Sequence, residues 1–192
     1  MASDAELVQI VDAAVAEAAR RAGAALVCRS GCTHCCIGPF AVTERDLARL
    51  RAGFAVLGDA RMAARFREAR EAMREGFPGD WESGRVSDLE AADLFDLGHP
   101  WLPCPVLDLE TGSCGLHEFR PVACRLHGPA LRIDGVDLRH CRLNYAGMGE
   151  EEVEGLRVSV ETPEVEESTL TYIAWAVLPA QEFAEAGGVA TA

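Results

Sequence analysis

The sequence predicts a mainly helical α+β fold, a small single domain over residues 1–192 in which cysteine-rich loops and short β-hairpins surround a metal site. Three observations support this fold class. Apolar residues recur at helical spacing on both sides of the cysteine-rich region, two segments have the pattern of hairpins, and eight cysteines cluster in and around loops. With 49% hydrophobic residues, the chain can bury a core without cross-links.

Flanking helices are predicted outside a metal-binding core of residues 28–141. The first helix is expected over 4–21, because Ser3 and Glu6 have capping-box spacing ahead of a periodic apolar pattern. The last helix is expected over 163–186. Both helices should pack their apolar faces on the core.

Within the core, two adjacent helices are expected to begin at Thr43 and Asp59, which are good N-cap residues. A third, short helix is expected over 89–97. Two hairpins are also expected, one turning at residues 110–112 and one at Asp134-Gly135, a pair that suits a type I′ turn.

The composition excludes several classes of partner. The formal net charge is −13, from 18 basic and 31 acidic residues, which argues against binding to nucleic acid or to an anionic membrane. No uncharged apolar stretch approaches the ~20 residues of a membrane span, and the acidic start lacks the basic region of a signal peptide. We therefore expect a cytoplasmic protein, whose thiols stay reduced and available for metal binding.

The first cysteine group occupies nine positions: Cys28, Cys32, Cys35 and Cys36. The C-x3-C-x2-C spacing of the first three can place three sulfurs on one face of an iron–sulfur cluster, with a fourth ligand from elsewhere, for which Cys124 is a candidate. This is also the radical-SAM spacing, but helices are predicted next and too little chain follows for that barrel. Because adjacent cysteines point in different directions, Cys35 and Cys36 should serve different metals, or one ligates while the other packs or stays free.

The second cysteine group is too widely spaced to bind a metal on its own, and must converge through the fold: Cys104, Cys114, Cys124 and Cys141. All eight cysteines are candidate metal ligands. They can form two four-ligand sites, one cluster with a smaller metal site, or one cluster with several bystanders. The spacing alone leaves these partitions open.

These strings together resemble a known family. The C-x3-C-x2-C-C group, the Cys104-Pro-Val-Leu-Asp string, Cys114 and the Arg120-Pro-Val-Ala-Cys-Arg string look like the YkgJ-like CxxCxxCC family of zinc- or iron-chelating cysteine-cluster domains. The resemblance covers residues 28–141 and implies that the cysteines are the metal ligands. A related segment in flagellin lysine N-methylases favours an iron–sulfur cluster, of the [4Fe–4S] type; zinc or non-cluster iron is the alternative.

Two histidines depart from the pattern that this resemblance leads us to expect. His117 stands where a tyrosine is expected, and His127 where an aromatic residue usually follows the Arg-Pro-x-x-Cys-Arg string. Either histidine could be an extra metal ligand or a catalytic base.

The expected function is metal binding through cysteine thiolates. We favour an iron–sulfur centre with a redox or metal-dependent role, acting with a redox or protein partner that the sequence does not identify. The alternative is a zinc-binding structural, interaction or metal-handling module without catalysis. No hydrolase, P-loop or dinucleotide fingerprint is present, so the sequence leaves open whether the protein is an enzyme.

Overall fold

The computed structural model describes residues 3–88, 98, 101–163 and 171–173, the last three as backbone alone. The α+β class is confirmed, because the longest elements are helices and the described strands are two or three residues long. The chain divides into two compact units. The first unit comprises Met1–Cys35 and Val122–Glu167, and the second comprises Cys36–Pro121 and Ser168–Ala192. The single domain over the whole chain stays a prediction.

The described elements have these bounds. The helices are α1 (Asp4–Ala22), α2 (Glu44–Leu57), α3 (Ala60–Ala72), α4 (Val122–Leu126) and α5 (Glu150–Leu156). The strands are β1 (Ala41–Thr43), β2 (Gly79–Asp80), β3 (Arg85–Val86), β4 (Leu107–Asp108), β5 (Ser113–Cys114), β6 (Leu131–Ile133), β7 (Val136–Asp137), β8 (Val158–Val160) and β9 (Thr171–Ile173). Among the residues described, no helix combines the length and the apolar character that a membrane span requires.

The first unit is built on α1, which begins with the predicted capping box. The Ser3 hydroxyl accepts the Glu6 N–H at 3.3 Å, and the Glu6 carboxylate accepts the Ser3 N–H at 2.7 Å. These reciprocal bonds satisfy backbone donors that a helix start otherwise leaves unpaired. The helix then packs on α4, α5, β6 and β8.

The core of the first unit lies between α1 and a three-stranded sheet in the order β7-β6-β8. Ala18 and Leu131 are fully buried there. Strands β6 and β7 form the predicted hairpin, and the positive φ angles of Asp134 (50°) and Gly135 (80°) agree with the Asp-Gly turn. Strand β8 extends the sheet in parallel to β6.

An ion pair joins α4 to α1. The Nη1 group of Arg125 donates to both carboxylate oxygens of Asp12, at 2.9 and 2.7 Å. The Arg125 side chain is only 4% exposed, so the pair is partly withdrawn from water and its loss would leave a buried cation with a weaker set of partners. This contact fixes the helix that carries Cys124.

The second unit confirms the two helix starts predicted at Thr43 and Asp59. The Thr43 hydroxyl accepts the Asp46 N–H at 3.2 Å, and Asp59 caps α3 by accepting the Met62 N–H at 2.7 Å. The two helices pack through Phe54 and Phe66, whose rings meet edge to face at 4.7 Å. A four-stranded sheet, β1-β9-β3-β2, belongs to the same unit.

The prediction of a helix over residues 163–186 is wrong at residues 171–173. Its only described residues from 164 onward, Thr171–Ile173, form β9, which pairs antiparallel with β1 and β3. A β-branched and aromatic triplet favours a strand, and pairing on both sides satisfies its backbone groups. Apart from Pro163, the rest of this predicted helix lies outside the described residues, as does the short helix predicted over 89–97.

Replacement of Leu131 by alanine should lower the free energy of unfolding by about 2–5 kcal/mol, because the side chain is fully buried between α1 and the sheet. The matched control is Val136→Ala on the adjacent strand, where the side chain is 63% exposed and a change within about 0.5 kcal/mol is expected. Denaturant unfolding measures both values. Equal losses for the two variants would contradict this placement of the core.

Candidate metal centre

The three cysteines of the C-x3-C-x2-C motif follow α1 in the first unit. After the short 3₁₀ turn Gly23–Ala25, the chain reaches Cys28 and then turns back on itself. The Cys32 N–H donates to the Arg29 carbonyl at 3.0 Å, and Gly31 has a φ of 87°, a conformation that favours glycine. This tight turn keeps Cys28 and Cys32 on one short loop.

Cys141 reaches the same region from the distant end of the unit. The Cys141 N–H donates to the Gly128 carbonyl at 3.0 Å, and its own carbonyl accepts the Asn144 N–H at 3.0 Å. The Cys141 side chain is buried. Backbone bonds on both sides therefore hold this cysteine in place.

Asn144 connects these two segments. Its Oδ1 accepts the Val27 N–H at 3.0 Å, and its Nδ2 donates to the Gly128 carbonyl at 2.7 Å. The same Nδ2 lies 3.4 Å from the Cys28 Sγ, within hydrogen-bonding distance of a sulfur acceptor. Asn144 and Cys28 are 116 residues apart in the chain, so this contact is wholly tertiary.

The thiols of this unit lie close enough to affect one another's charge. Partial burial raises the pKa of the Cys28 thiol, and the thiols of Cys32, Cys141 and Cys35 raise this pKa further, whereas the hydrogen bond from Asn144 lowers it. Mutual repulsion among thiolates is what a bound cation would relieve. We call Cys28, Cys32, Cys35 and Cys141 the Cys28 group.

Gly128 leaves room for the Cys28 sulfur. It has a φ of 127°, and a Cβ built at this position would stand 3.0 Å from the Cys28 Sγ. Only glycine tolerates both this backbone conformation and this close approach. The residue is therefore a steric requirement of the Cys28 group.

Two histidines of the first unit are related to the Cys28 group. His34 lies between Cys32 and Cys35 in the chain, and His127 is close enough to His34 to feel its charge. The Nε2 of His34 accepts the Nε–H of Arg142 at 3.1 Å, which links the motif loop to the residue after Cys141. Partial burial and the charge of His34 lower the pKa of His127.

His117 lies elsewhere. It belongs to a 3₁₀ turn of the second unit, is 58% exposed, and its Nδ1 lies 3.1 Å from a carboxylate oxygen of Glu118. The Cys28 group belongs to the first unit. The roles predicted for His117 and His127 stay predictions.

In the second unit, backbone pairing brings Cys36 close to Cys104 and places Cys114 in a hairpin. An antiparallel bridge joins Ile37 to Pro103, and the Cys104 N–H donates to the Cys36 carbonyl at 2.8 Å. Residues opposite one another in such a pair have Cβ atoms about 4.5–5.5 Å apart. The predicted hairpin is also present as β4 and β5, in which Cys114 pairs with Leu107.

The boundary between the two units falls between the adjacent cysteines, with Cys35 in the first and Cys36 in the second. Cys124 lies on α4 in the first unit, half-buried. No two of the eight cysteines are joined by a disulfide. Their assignment as metal ligands stays a prediction.

The residues present fit a metal centre by their chemistry, because four thiols with a nearby N–H donor are suitable ligands for zinc or for an iron–sulfur cluster. In the described part of the chain, however, no three His, Cys, Asp or Glu side chains already stand closely enough to hold a metal ion. Binding would have to draw the side chains of the Cys28 group together.

Sequence reasoning identified the cysteines but missed Asn144 and Gly128. Asn144 is buried, and it follows Cys141 by three residues in a stretch with apolar neighbours. A polar amide in such a place requires hydrogen-bond partners, and this is the signal that could have singled it out.

Replacement of Gly128 by alanine should destabilise the first unit and displace the Cys28 sulfur, because the new Cβ would meet it at 3.0 Å. The matched control is Gly147→Ala, which has a φ of 82° but nothing within 4 Å of the added Cβ. Both variants should bear a backbone cost of about 1–2 kcal/mol. Only Gly128→Ala should also weaken metal binding, measured by competition with a chelator; equal metal affinities would argue against this packing.

Comparison with known proteins agrees with the site. A family model described as a putative zinc- or iron-chelating domain, CxxCxxCC, matches residues 27–142, which is more than half of the chain. No curated protein matches the chain, and no solved structure does. The matched residues include all eight cysteines, and metal binding is the function that the match supports. The chain belongs to the CxxCxxCC family of zinc- or iron-chelating domains.

Proposed function

We propose that the first unit holds an iron–sulfur cluster, of the [4Fe–4S] type, through the thiolates of the Cys28 group. The observation that carries this proposal is the hydrogen-bonded link that Asn144 makes between the segments of Cys28 and Cys141, with its N–H 3.4 Å from the Cys28 sulfur. The thiols of Cys32, Cys141 and Cys35 are near enough to raise the pKa of Cys28, which supports the same grouping. Three of the four thiols come from one short loop and the fourth from a distant segment. This is a common way for a chain to supply four cysteines to one cluster.

The residues around the group would support such a site in distinct ways. Asn144 and the Gly128 carbonyl hold the two cysteine segments together, and Arg142 binds His34 within the motif loop. Cys141 is buried, whereas Cys28 and Cys35 are exposed. The group is therefore open to solvent on the side of the motif loop, where a redox partner could approach.

A bound cluster would supply the ability to accept and release an electron. The protein's part would be to hold four thiolates in one place, to donate a hydrogen bond to one of the sulfurs and to limit access of water on the Cys141 side. We propose a redox role with a protein partner on this basis. A role in metal-dependent catalysis would require a substrate site beside the exposed loop.

A zinc centre is the second candidate, favoured by one observation. Cys28 and Cys141 lie on segments far apart in the chain, and joining such segments is what structural zinc does in small modules. In this case the ion would stabilise the first unit and no turnover would follow. The three thiols of the second unit, and Cys124, remain predicted ligands of a second metal or bystanders.

The test is the metal and acid-labile sulfide content, with a visible spectrum, of the full chain purified without oxygen from cells supplied with iron and zinc. We expect iron, sulfide and broad visible absorption. The variants Cys28→Ser and Cys141→Ser should lose this absorption, while His117→Ala, a change at an exposed ring, should keep it.

Two results would overturn the cluster. Zinc without sulfide would replace it by the structural zinc centre, provided that Cys28→Ser then lowers thermal stability and zinc content together. An iron–sulfur spectrum that survives both Cys28→Ser and Cys141→Ser would place the cluster at other cysteines.

A further inference from the structure

Asn144 is the only asparagine in the chain, and its side chain is buried, with 3% of the residue exposed. It lies just beyond residues 27–142, to which the family match extends. A buried amide has one acceptor group and two N–H donors that need partners. Its partners therefore show what this position does.

The orientation of the amide is fixed by two backbone groups. The Val27 N–H can only donate, so the atom facing it at 3.0 Å is the oxygen Oδ1. The Gly128 carbonyl can only accept, so the atom facing it at 2.7 Å is the nitrogen Nδ2. These two requirements agree with each other, and neither involves the sulfur.

With the amide held in this way, one N–H of Nδ2 is used by Gly128 and the other is left for the Cys28 Sγ at 3.4 Å. A protonated thiol could instead donate weakly to Oδ1, at 3.7 Å. A metal-bound thiolate has no proton, so only the bond from Nδ2 to sulfur remains. Such a bond to a charged sulfur is stronger than one between neutral groups.

We propose that Asn144 is a positioning residue of the metal centre, which donates an N–H bond to the metal-bound Cys28 thiolate and holds it toward Cys141. This inference rests on the proposed function, because it requires Cys28 to be a ligand. Asn144 does two things at once. It joins the backbone before Cys28 to Gly128, whose carbonyl also accepts the Cys141 N–H, and it offsets negative charge on a sulfur. Removal of a group that bonds to a metal ligand in this way commonly lowers metal affinity about 10–100-fold. We expect a loss of about this size when Asn144 is replaced.

The first test uses the full chain loaded with ¹¹³Cd²⁺, a diamagnetic ion that thiolates bind, and labelled with ¹⁵N only in asparagine. Because Asn144 is the sole asparagine, its side-chain NH₂ gives a single pair of signals. We expect one of these protons to show scalar coupling to cadmium across the sulfur, and both to exchange slowly with water. An uncoupled, freely exchanging NH₂ in protein that binds cadmium through Cys28 would overturn the inference.

The second test compares Asn144→Ala with Tyr145→Phe. Tyr145 is also buried, and its hydroxyl accepts the Ala130 N–H at 2.9 Å, so its variant loses a buried hydrogen bond of the same unit without changing the one that Asn144 donates to the sulfur. We expect Asn144→Ala to weaken cadmium binding about 10–100-fold, and Tyr145→Phe to leave it unchanged. Equal weakening in both variants would reduce Asn144 to a purely structural role and overturn the proposal.

Cys28→Ser separates this inference from the proposed function. If wild-type protein binds cadmium and Cys28→Ser binds it much less, the proposed site stands and the two tests above decide the role of Asn144. If the wild type and Cys28→Ser bind cadmium alike, or if neither does, the proposed site fails and the role of Asn144 fails with it. The labelled wild-type chain gives an answer even if Asn144→Ala does not fold.

Discussion

The first unit depends on one side chain that joins segments far apart in the sequence. Asn144 accepts from Val27 and donates to Gly128, so it connects the chain before the cysteine motif to the residue whose carbonyl also binds the Cys141 N–H. A buried amide that lost either partner would bear the full cost of desolvation, which makes the arrangement cooperative. The positions of Cys28 and Cys141 follow from this link.

The grouping of thiols has an electrostatic cost that the protein itself only partly offsets. The neighbouring thiols raise the pKa of Cys28, and among the contacts described, the hydrogen bond from Asn144 is what lowers it. A cation would remove the repulsion far more effectively than an amide can.

The two units use different means to place their cysteines. In the second unit the placement is by backbone pairing, because Cys36 and Cys104 flank the bridge between Ile37 and Pro103, and Cys114 lies in a hairpin. In the first unit it is by side-chain contacts around Asn144 and by a glycine that leaves space for sulfur. The adjacent Cys35 and Cys36 belong to different units, so each is placed by the means that its own unit uses.

What the sequence by itself determined was local. The caps at Ser3, Thr43 and Asp59 and the Asp134-Gly135 turn were predictable, because each depends on residues within a few positions of one another. The cysteine strings were enough to indicate the family. The apolar periodicity that predicted a helix was misleading at Thr171–Ile173, which pair with strands distant in the chain.

Only the tertiary structure could bring Asn144 and Gly128 to the sulfur of Cys28. Spacing could not show that Cys141 would lie near Cys28, nor that Asn144 would bridge their segments. The role of Cys124 as a fourth ligand stays a prediction. Contacts between segments more than a hundred residues apart depend on how helices and sheets pack, and no local pattern encodes that packing. The role of a buried amide depends on the hydrogen-bond partners that the fold brings to it, and these partners cannot be identified from the residues next to it in the chain.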